Sequence, residues 1–214
     1  MIEFDEINEE AGGPIVAAIL RHGKALHNEG SVSVFSWKMR SEGGHDAALL
    51  GGQEETAKKI TERLKEEGFG APNTKLTYWC SPLQRAQDTA NLLRIAGELP
   101  GEIEILAELR EIMSGDLEGQ PTPNLKGLSL QEAYDACGEQ IEAAGGESLE
   151  DVKERIKTVV ERLQRLSTDE KVIIVTHGSP VRAFIQLVGK VDLCPPQWGT
   201  YYIKRLTPGF DRDE

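Results

Sequence analysis

The sequence predicts a three-layer α/β/α sandwich with a mostly parallel central sheet and a site at the carboxyl ends of its strands. Three observations carry that prediction. Residues 15–20 and 172–175 are unbroken aliphatic runs, as expected of strands buried on both faces. Such runs alternate along the chain with stretches of helical periodicity, the order of a βαβ chain. The strands also end abruptly in turn-forming polar residues: Arg21-His22-Gly23, Ser81-Pro82 and His177-Gly178-Ser179. In open α/β sheets, ligands sit beyond the carboxyl ends of strands.

The elements follow in order. Residues 1–13 are an acidic lead that reads as a loosely attached N-terminal tail. The first strand is expected over 15–20, and Gly23 lets the backbone turn away after it. Residues 24–28 start a helix or wrap the turn. Residues 29–52, rich in Gly and Ser, read as an irregular surface segment bordering the site. The spacing of Ala57, Ile60, Thr61 and Leu64 predicts a helix over 53–67, stopped by Gly68. Residues 75–80 read as a strand. Ser81 is the expected N-cap of the next helix, with Pro82 at its first position and Arg85 in its first turn. A short strand is expected over 103–106, followed by a loop over 115–127. Ser129 and Glu132 form a capping box, and Ser148 caps the longest helix. Residues 171–176 predict a third long strand, with a helix to about residue 188. Residues 201–206 read as an edge strand, and 207–214 as a polar tail. The domain therefore spans residues 14–206.

Composition narrows the function. The chain has 214 residues, 39% of them hydrophobic, which suits one large domain. No run approaches the length of a membrane span. The N-terminus lacks the order of a signal peptide, so a cytoplasmic location is expected. Cys80, Cys137 and Cys194 are odd in number and unpaired in spacing, which reads as reduced thiols. Cys80 has no neighbouring base that would make it a nucleophile. A formal net charge of -12 argues against nucleic acid and anionic membranes as partners. It makes a local cluster of Arg and His more informative.

Such a cluster is expected. With right-handed crossovers, the turns bearing Arg21, His22, Arg85 and His177 lie on one edge of the sheet. Two arginine forks and two imidazoles suit a tetrahedral dianion, with N–H donors from the helices that follow. No carboxylate stands beside these turns to complete a metal site, and two arginines would repel a cation, so neither metal nor cofactor is expected. Histidine among phosphate-binding cations points to a nucleophile, His22. The leaving alkoxide needs a proton from a carboxyl group, for which Glu108 and Glu111 are both candidates.

Together these stretches resemble the histidine phosphatase superfamily, which contains the phosphoglycerate mutases and related phosphatases. The resemblance is carried by Arg21-His22-Gly23 with Asn28, by Ser81-Pro82-Leu83-Gln84-Arg85-Ala86 running to Thr89-Ala90, by Leu109-Arg110-Glu111, by Gly146-Glu147-Ser148 and by Val175-Thr176-His177-Gly178. It covers roughly residues 14–190 in consistent order. It implies that His22 is phosphorylated and that Arg21, Arg85 and His177 complete the phosphate pocket. Asn28 and the Gly178 amide would support it. It favours Glu111 over Glu108 as general acid and base. Lys24, the partial match over 49–57 and the unmatched segment 29–48 depart from the family pattern.

The expected activity is hydrolysis of a phosphomonoester, because residues 112–145 leave no room for the long lid insertion of the mutases. Mutase-type phosphoryl transfer and a non-catalytic phosphate-binding protein are the alternatives. A small phosphorylated metabolite or sugar phosphate suits the site better than a phosphoprotein, and the oligomeric state is not legible. Lys38, Arg40 and Arg182 read as surface charges. His27 and His45 read as solvated or structural, and Trp198 as packing.

Overall fold

A computed structural model describes residues 4–6, 13–26, 35–122, 129–189 and 194–204. The strands are β1 (Phe4–Glu6), β2 (Ile15–Arg21), β3 (Lys75–Cys80), β4 (Glu102–Ile105), β5 (Glu170–Thr176) and β6 (Thr200–Lys204). The helices are α1 (Glu54–Glu66), α2 (Gln84–Ile95), α3 (Leu130–Ala143), α4 (Leu149–Leu163) and α5 (Gly178–Gly189). Among the described residues the strands form one sheet in the order β1-β6-β2-β5-β3-β4. The pairs β2–β5, β5–β3 and β3–β4 are parallel, whereas β6 runs antiparallel to β2.

Both faces of the sheet are covered, which accounts for the unbroken aliphatic strands. Ala17, Ile19, Val172 and Ile174 pack with Val152, Ile156 and Val159 of α4 and with Val181, Phe184 and Ile185 of α5. The alternate residues Ala18, Leu20, Ile173 and Val175 pack with Ala57, Ile60 and Leu64 of α1 and with Ala86, Ala90 and Leu93 of α2. The result is the expected three-layer sandwich. Gly68 closes the turn after α1 at φ 78°, a conformation that glycine reaches without strain. The capping box expected at Ser129 forms with Glu132, and Ser148 caps α4 as expected, in a second box with Asp151.

Three expectations change. Residues 4–6 are not part of a loose tail: β1 pairs parallel with β6. For the same reason β6 is not an edge strand, since it lies between β1 and β2. Ser81 does not cap α2. Leu83 holds the N-cap position with extended backbone, and Ser81 Oγ instead accepts from Leu83 N at 3.2 Å. The capping acceptor comes from a distant residue, Asp46, whose Oδ2 takes the Gln84 N–H at 2.6 Å. Among the described residues no helix is long and apolar enough to cross a membrane.

Candidate active site

Strand register brings the two predicted histidines together. Arg21 ends β2 and is paired with Thr176, the last residue of β5. The residue after each strand is a histidine, and the two ring centroids lie 5.1 Å apart at 62°. His22 N donates to the Thr176 carbonyl at 2.9 Å, and Arg21 N to the Gly199 carbonyl at 3.1 Å. Gly23 N donates to Thr89 Oγ1 at 3.1 Å, which ties the turn to α2. A Cβ on Gly23 would stand 2.5 Å from the Trp198 ring, so only glycine fits beneath that indole.

His22 is 1% exposed. Its Nδ1 lies 2.6 Å from the Gly23 carbonyl oxygen. A carbonyl only accepts, so Nδ1 carries the proton and Nε2 keeps a lone pair. Arg85 Nε donates to that Nε2 at 3.2 Å. Arg85 is as deeply buried. Its Nη1 donates to Ser36 Oγ and Asp46 Oδ1, each at 3.3 Å, and its Nη2 to the Ser36 carbonyl at 2.7 Å. Burial pulls the Arg85 pKa down, and Glu111 and Asp46 act against that pull. Burial raises the Asp46 pKa, against the Gln84 N–H and the Arg85 charge. His177, also buried, has Nε2 2.7 Å from Ser81 Oγ.

Arg21, Arg85 and Glu111 line one cleft of about 460 Å³, together with Tyr134, Ser179 and Arg182. Arg21 Nη1 donates to the Pro195 carbonyl at 3.0 Å, and the Tyr134 hydroxyl donates to the same oxygen at 3.4 Å. Glu111 Oε1 accepts from Ile112 N at 2.9 Å and from Ser179 N, in the first turn of α5, at 3.3 Å. Glu108 does not line the cleft; its charge acts on Arg162 of α4. Gly178 opens α5, and a Cβ there would meet the Tyr134 hydroxyl oxygen at 1.9 Å. Asn28 and His27 lie outside the described residues.

The structure therefore brings together His22, Arg21, Arg85, His177, Glu111 and Gly178. It differs from expectation at the helix starts. The first N–H of α2 is occupied by Asp46, and Ser179 N of α5 by Glu111. Arg182 is not a free surface charge: it is 8% exposed, lines the cleft and donates to Asp135 Oδ1 at 3.1 Å. Sequence reading also missed Ser36, Asp46 and Gln53. Gln53 Oε1 accepts from Lys24 N and from Trp198 Nε1, both at 2.8 Å, which pins the chain after Gly23. Its only signal was the partial motif at 49–57. Ser36 and Asp46 reach Arg85 from a segment without periodicity, and no pattern announces them. The Cys80 thiol is buried, and that burial pushes its pKa up, the reverse of a reactive thiolate. Among the described residues no group of three or more His, Cys, Asp or Glu could hold a metal ion.

This fold and this clustering of arginine, histidine and carboxylate define a class that comparison with known proteins also finds. Residues 18–198 match the family model of the histidine phosphatase superfamily (branch 1), and the chain belongs to that superfamily. Phosphoglycerate mutase-like protein 4 of Arabidopsis thaliana is 28% identical over 182 residues, 78% of this chain and 68% of the relative. Fructose-2,6-bisphosphatase TIGAR of Xenopus tropicalis is 31% identical over 163 residues, 71% of this chain and 50% of the relative. The metal-independent phosphoserine phosphatase of Arabidopsis thaliana is 27% identical over 174 residues, 77% of this chain and 65% of the relative. The chain thus spans between half and about two thirds of these relatives' length. A mycobacterial glucosyl-3-phosphoglycerate phosphatase shares the fold at a TM-score of 0.55 with 24% identity, over 83% of this chain and 80% of that one.

Proposed function

We propose that the protein is a phosphatase that hydrolyses a small phosphomonoester through a covalent phosphohistidine at His22. The observation that carries this reading is the state of His22. Its Nδ1–H is held by the Gly23 carbonyl, so the nitrogen beside Arg85 bears the lone pair. That Nε2 attacks phosphorus, and the bond to the ester oxygen breaks. Arg21, Arg85 and His177 take up the charge on the phosphoryl oxygens. The Glu111 carboxyl gives its proton to the departing alkoxide. Water then attacks the phosphohistidine, Glu111 takes the water proton, and the P–N electron pair returns to Nε2. Inorganic phosphate and the free enzyme result, with no metal in either step.

Glu111 is the preferred acid because it lines the cleft with Arg21 and Arg85 while Glu108 does not. A cleft of about 460 Å³ suits a metabolite-sized alcohol. The names of the relatives include phosphatases of small phosphorylated molecules, which agrees with that size class. In the test, nitrophenyl phosphate hydrolysis is measured with chelator present, and samples quenched in alkaline denaturant are assayed for phosphohistidine. Chelator-resistant turnover and label are expected, both lost in His22→Ala. Glu111→Gln is expected to slow an alkyl phosphate by about 10²–10⁴-fold and the nitrophenyl ester far less. Turnover undiminished in His22→Ala overturns the proposal. Transfer of the label to a phosphoglycerate, rather than to water, converts the reading to a mutase.

A further inference from the structure

The Glu111 carboxyl sits on a stretch without regular structure, between a 3-10 turn at Ala107–Leu109 and another at Gly115–Leu117. A general acid must stay within hydrogen-bond reach of the oxygen that it protonates. A loop alone holds such a position poorly. Two side chains from the far side of the loop brace it. Glu147 Oε2 accepts from Met113 N at 2.8 Å, and Glu147 N donates to the Met113 carbonyl at 2.8 Å. Both polar groups of the Met113 backbone are thus held by one residue. Arg155 of α4 donates from Nη1 to the Glu108 carbonyl. Its Nε and Nη2 form a fork on Glu147 Oε1 and Oε2, each at 3.1 Å.

The fork closes a bridge that anchors the chain three residues before Glu111 and two residues after it. It is mostly buried, with the Arg155 and Glu147 side chains 19% and 10% exposed. It stands on α4, whose Val152, Ile156 and Val159 are locked into the core. Gly146 makes the approach possible, since a Cβ there would lie 2.3 Å from the Met113 carbonyl oxygen. Neither Glu147 nor Arg155 lines the cleft. Planar, charge-assisted forks of this kind fix orientation as well as distance.

We propose that Glu147 and Arg155 are positioning residues for the proton-donating carboxyl, acting through the backbone on either side of Glu111. The proposal rests on the reading of Glu111 as general acid. It predicts a defect that depends on the leaving group. Phosphoryl transfer from an ester with a good leaving group needs little proton donation, so a displaced acid costs little there. An alkyl ester needs the proton, so a displaced acid is felt.

The experiment compares Arg155→Met with the unaltered protein on an alkyl phosphate and on nitrophenyl phosphate. For the alkyl ester, kcat is expected to fall about 10–100-fold, the usual cost of losing a supporting partner, with KM little changed. For nitrophenyl phosphate the loss is expected to stay under about threefold. Glu147→Gln retains an oxygen for Met113 N–H and provides a second folded variant, with the same selectivity at smaller amplitude. Adding Arg155→Met to Glu111→Gln is expected to slow the alkyl ester no further, because both act on one proton transfer. Equal losses on both esters, in variants whose circular dichroism is native, would overturn the proposal, as would full additivity in the double variant. If Glu111→Gln itself shows no dependence on the leaving group, the assignment of Glu111 falls and the proposal with it. If Glu111→Gln shows it and neither brace variant does, only the positioning role falls.

Discussion

Gly23 shows how one missing side chain shapes the site. The indole of Trp198 and the Gln53 carboxamide oxygen that accepts from it both crowd the space where a Cβ would stand. Gly23→Ala would push two fixed groups, and overpacking of this kind costs about 1–3 kcal/mol. The expected outcome is a fall in Tm of about 3–10 °C by thermal unfolding. A roughly 10²-fold loss of phosphatase activity should accompany it, as the adjacent His22 is displaced. At this scale the sequence is legible where chemistry and backbone lie in one contiguous stretch. Arg21, His22 and His177 follow directly from strands that end in them. Asp46 is illegible for the opposite reason. It meets Arg85 across 39 residues of sequence, and its carboxylate gains meaning only from burial beside that guanidinium. Arg182 reads as a surface charge because its long side chain hides its burial from any periodicity argument.

Helices are legible wherever their ends carry a local signal. The box expected at Ser129 and the cap expected at Ser148 both form, and Asp151 completes a second box at Ser148. The start of α2 breaks that logic. Ser81 and Pro82 imitate an N-cap and a first helical residue, yet the Ser81 hydroxyl serves His177 and Leu83 N instead. Tertiary demand for an imidazole partner outweighs a capping preference worth about 1 kcal/mol. Among the described residues, the Ser148 side chain bonds only within its own capping box, to Asp151. Ser148→Ala is expected to lower stability by about 1 kcal/mol, seen as a Tm decrease of about 2–4 °C. Because α4 also supports the Glu147–Arg155 fork, the same variant tests whether fraying of the helix start reaches the loop. If it does, the alkyl-ester rate falls with the Tm, whereas the nitrophenyl-ester rate does not.

On the scale of the molecule, the amino ends of the strands lie opposite the rim that carries Arg21, His22 and His177. There Glu170 opens β5 in register with Lys75 of β3. Hydrogen bonds from Ser167 and the Lys75 ammonium hold the Glu170 carboxyl at about 2, below its ordinary value. A depressed carboxyl contributes stability that is complete above the unfolded value, near 4.5, and is lost as pH falls through about 2. Glu170→Gln is therefore expected to lower Tm by a few degrees at neutral pH. The gap to the unaltered protein should narrow steadily below pH 4.5 and close near pH 2. A gap that widens on acidification would contradict the assignment. The parallel core of the sheet was legible, since hydrophobic runs and crossover rules leave few choices. The places of β1 and β6 were not, because short strands at the margins are specified by pairing partners distant in sequence. Yet β6 matters most to the rim. Running against β2, it delivers Pro195, Trp198 and Gly199 onto Arg21 and Gly23. The recognisable motifs all lie before residue 180, but the carbonyls that hold Arg21 and the indole beside Gly23 come from residues 195–199. A segment without any motif of its own thus carries part of the site: removal of residues 195–204 would leave every motif in the chain and take away the groups that hold Arg21 and Gly23.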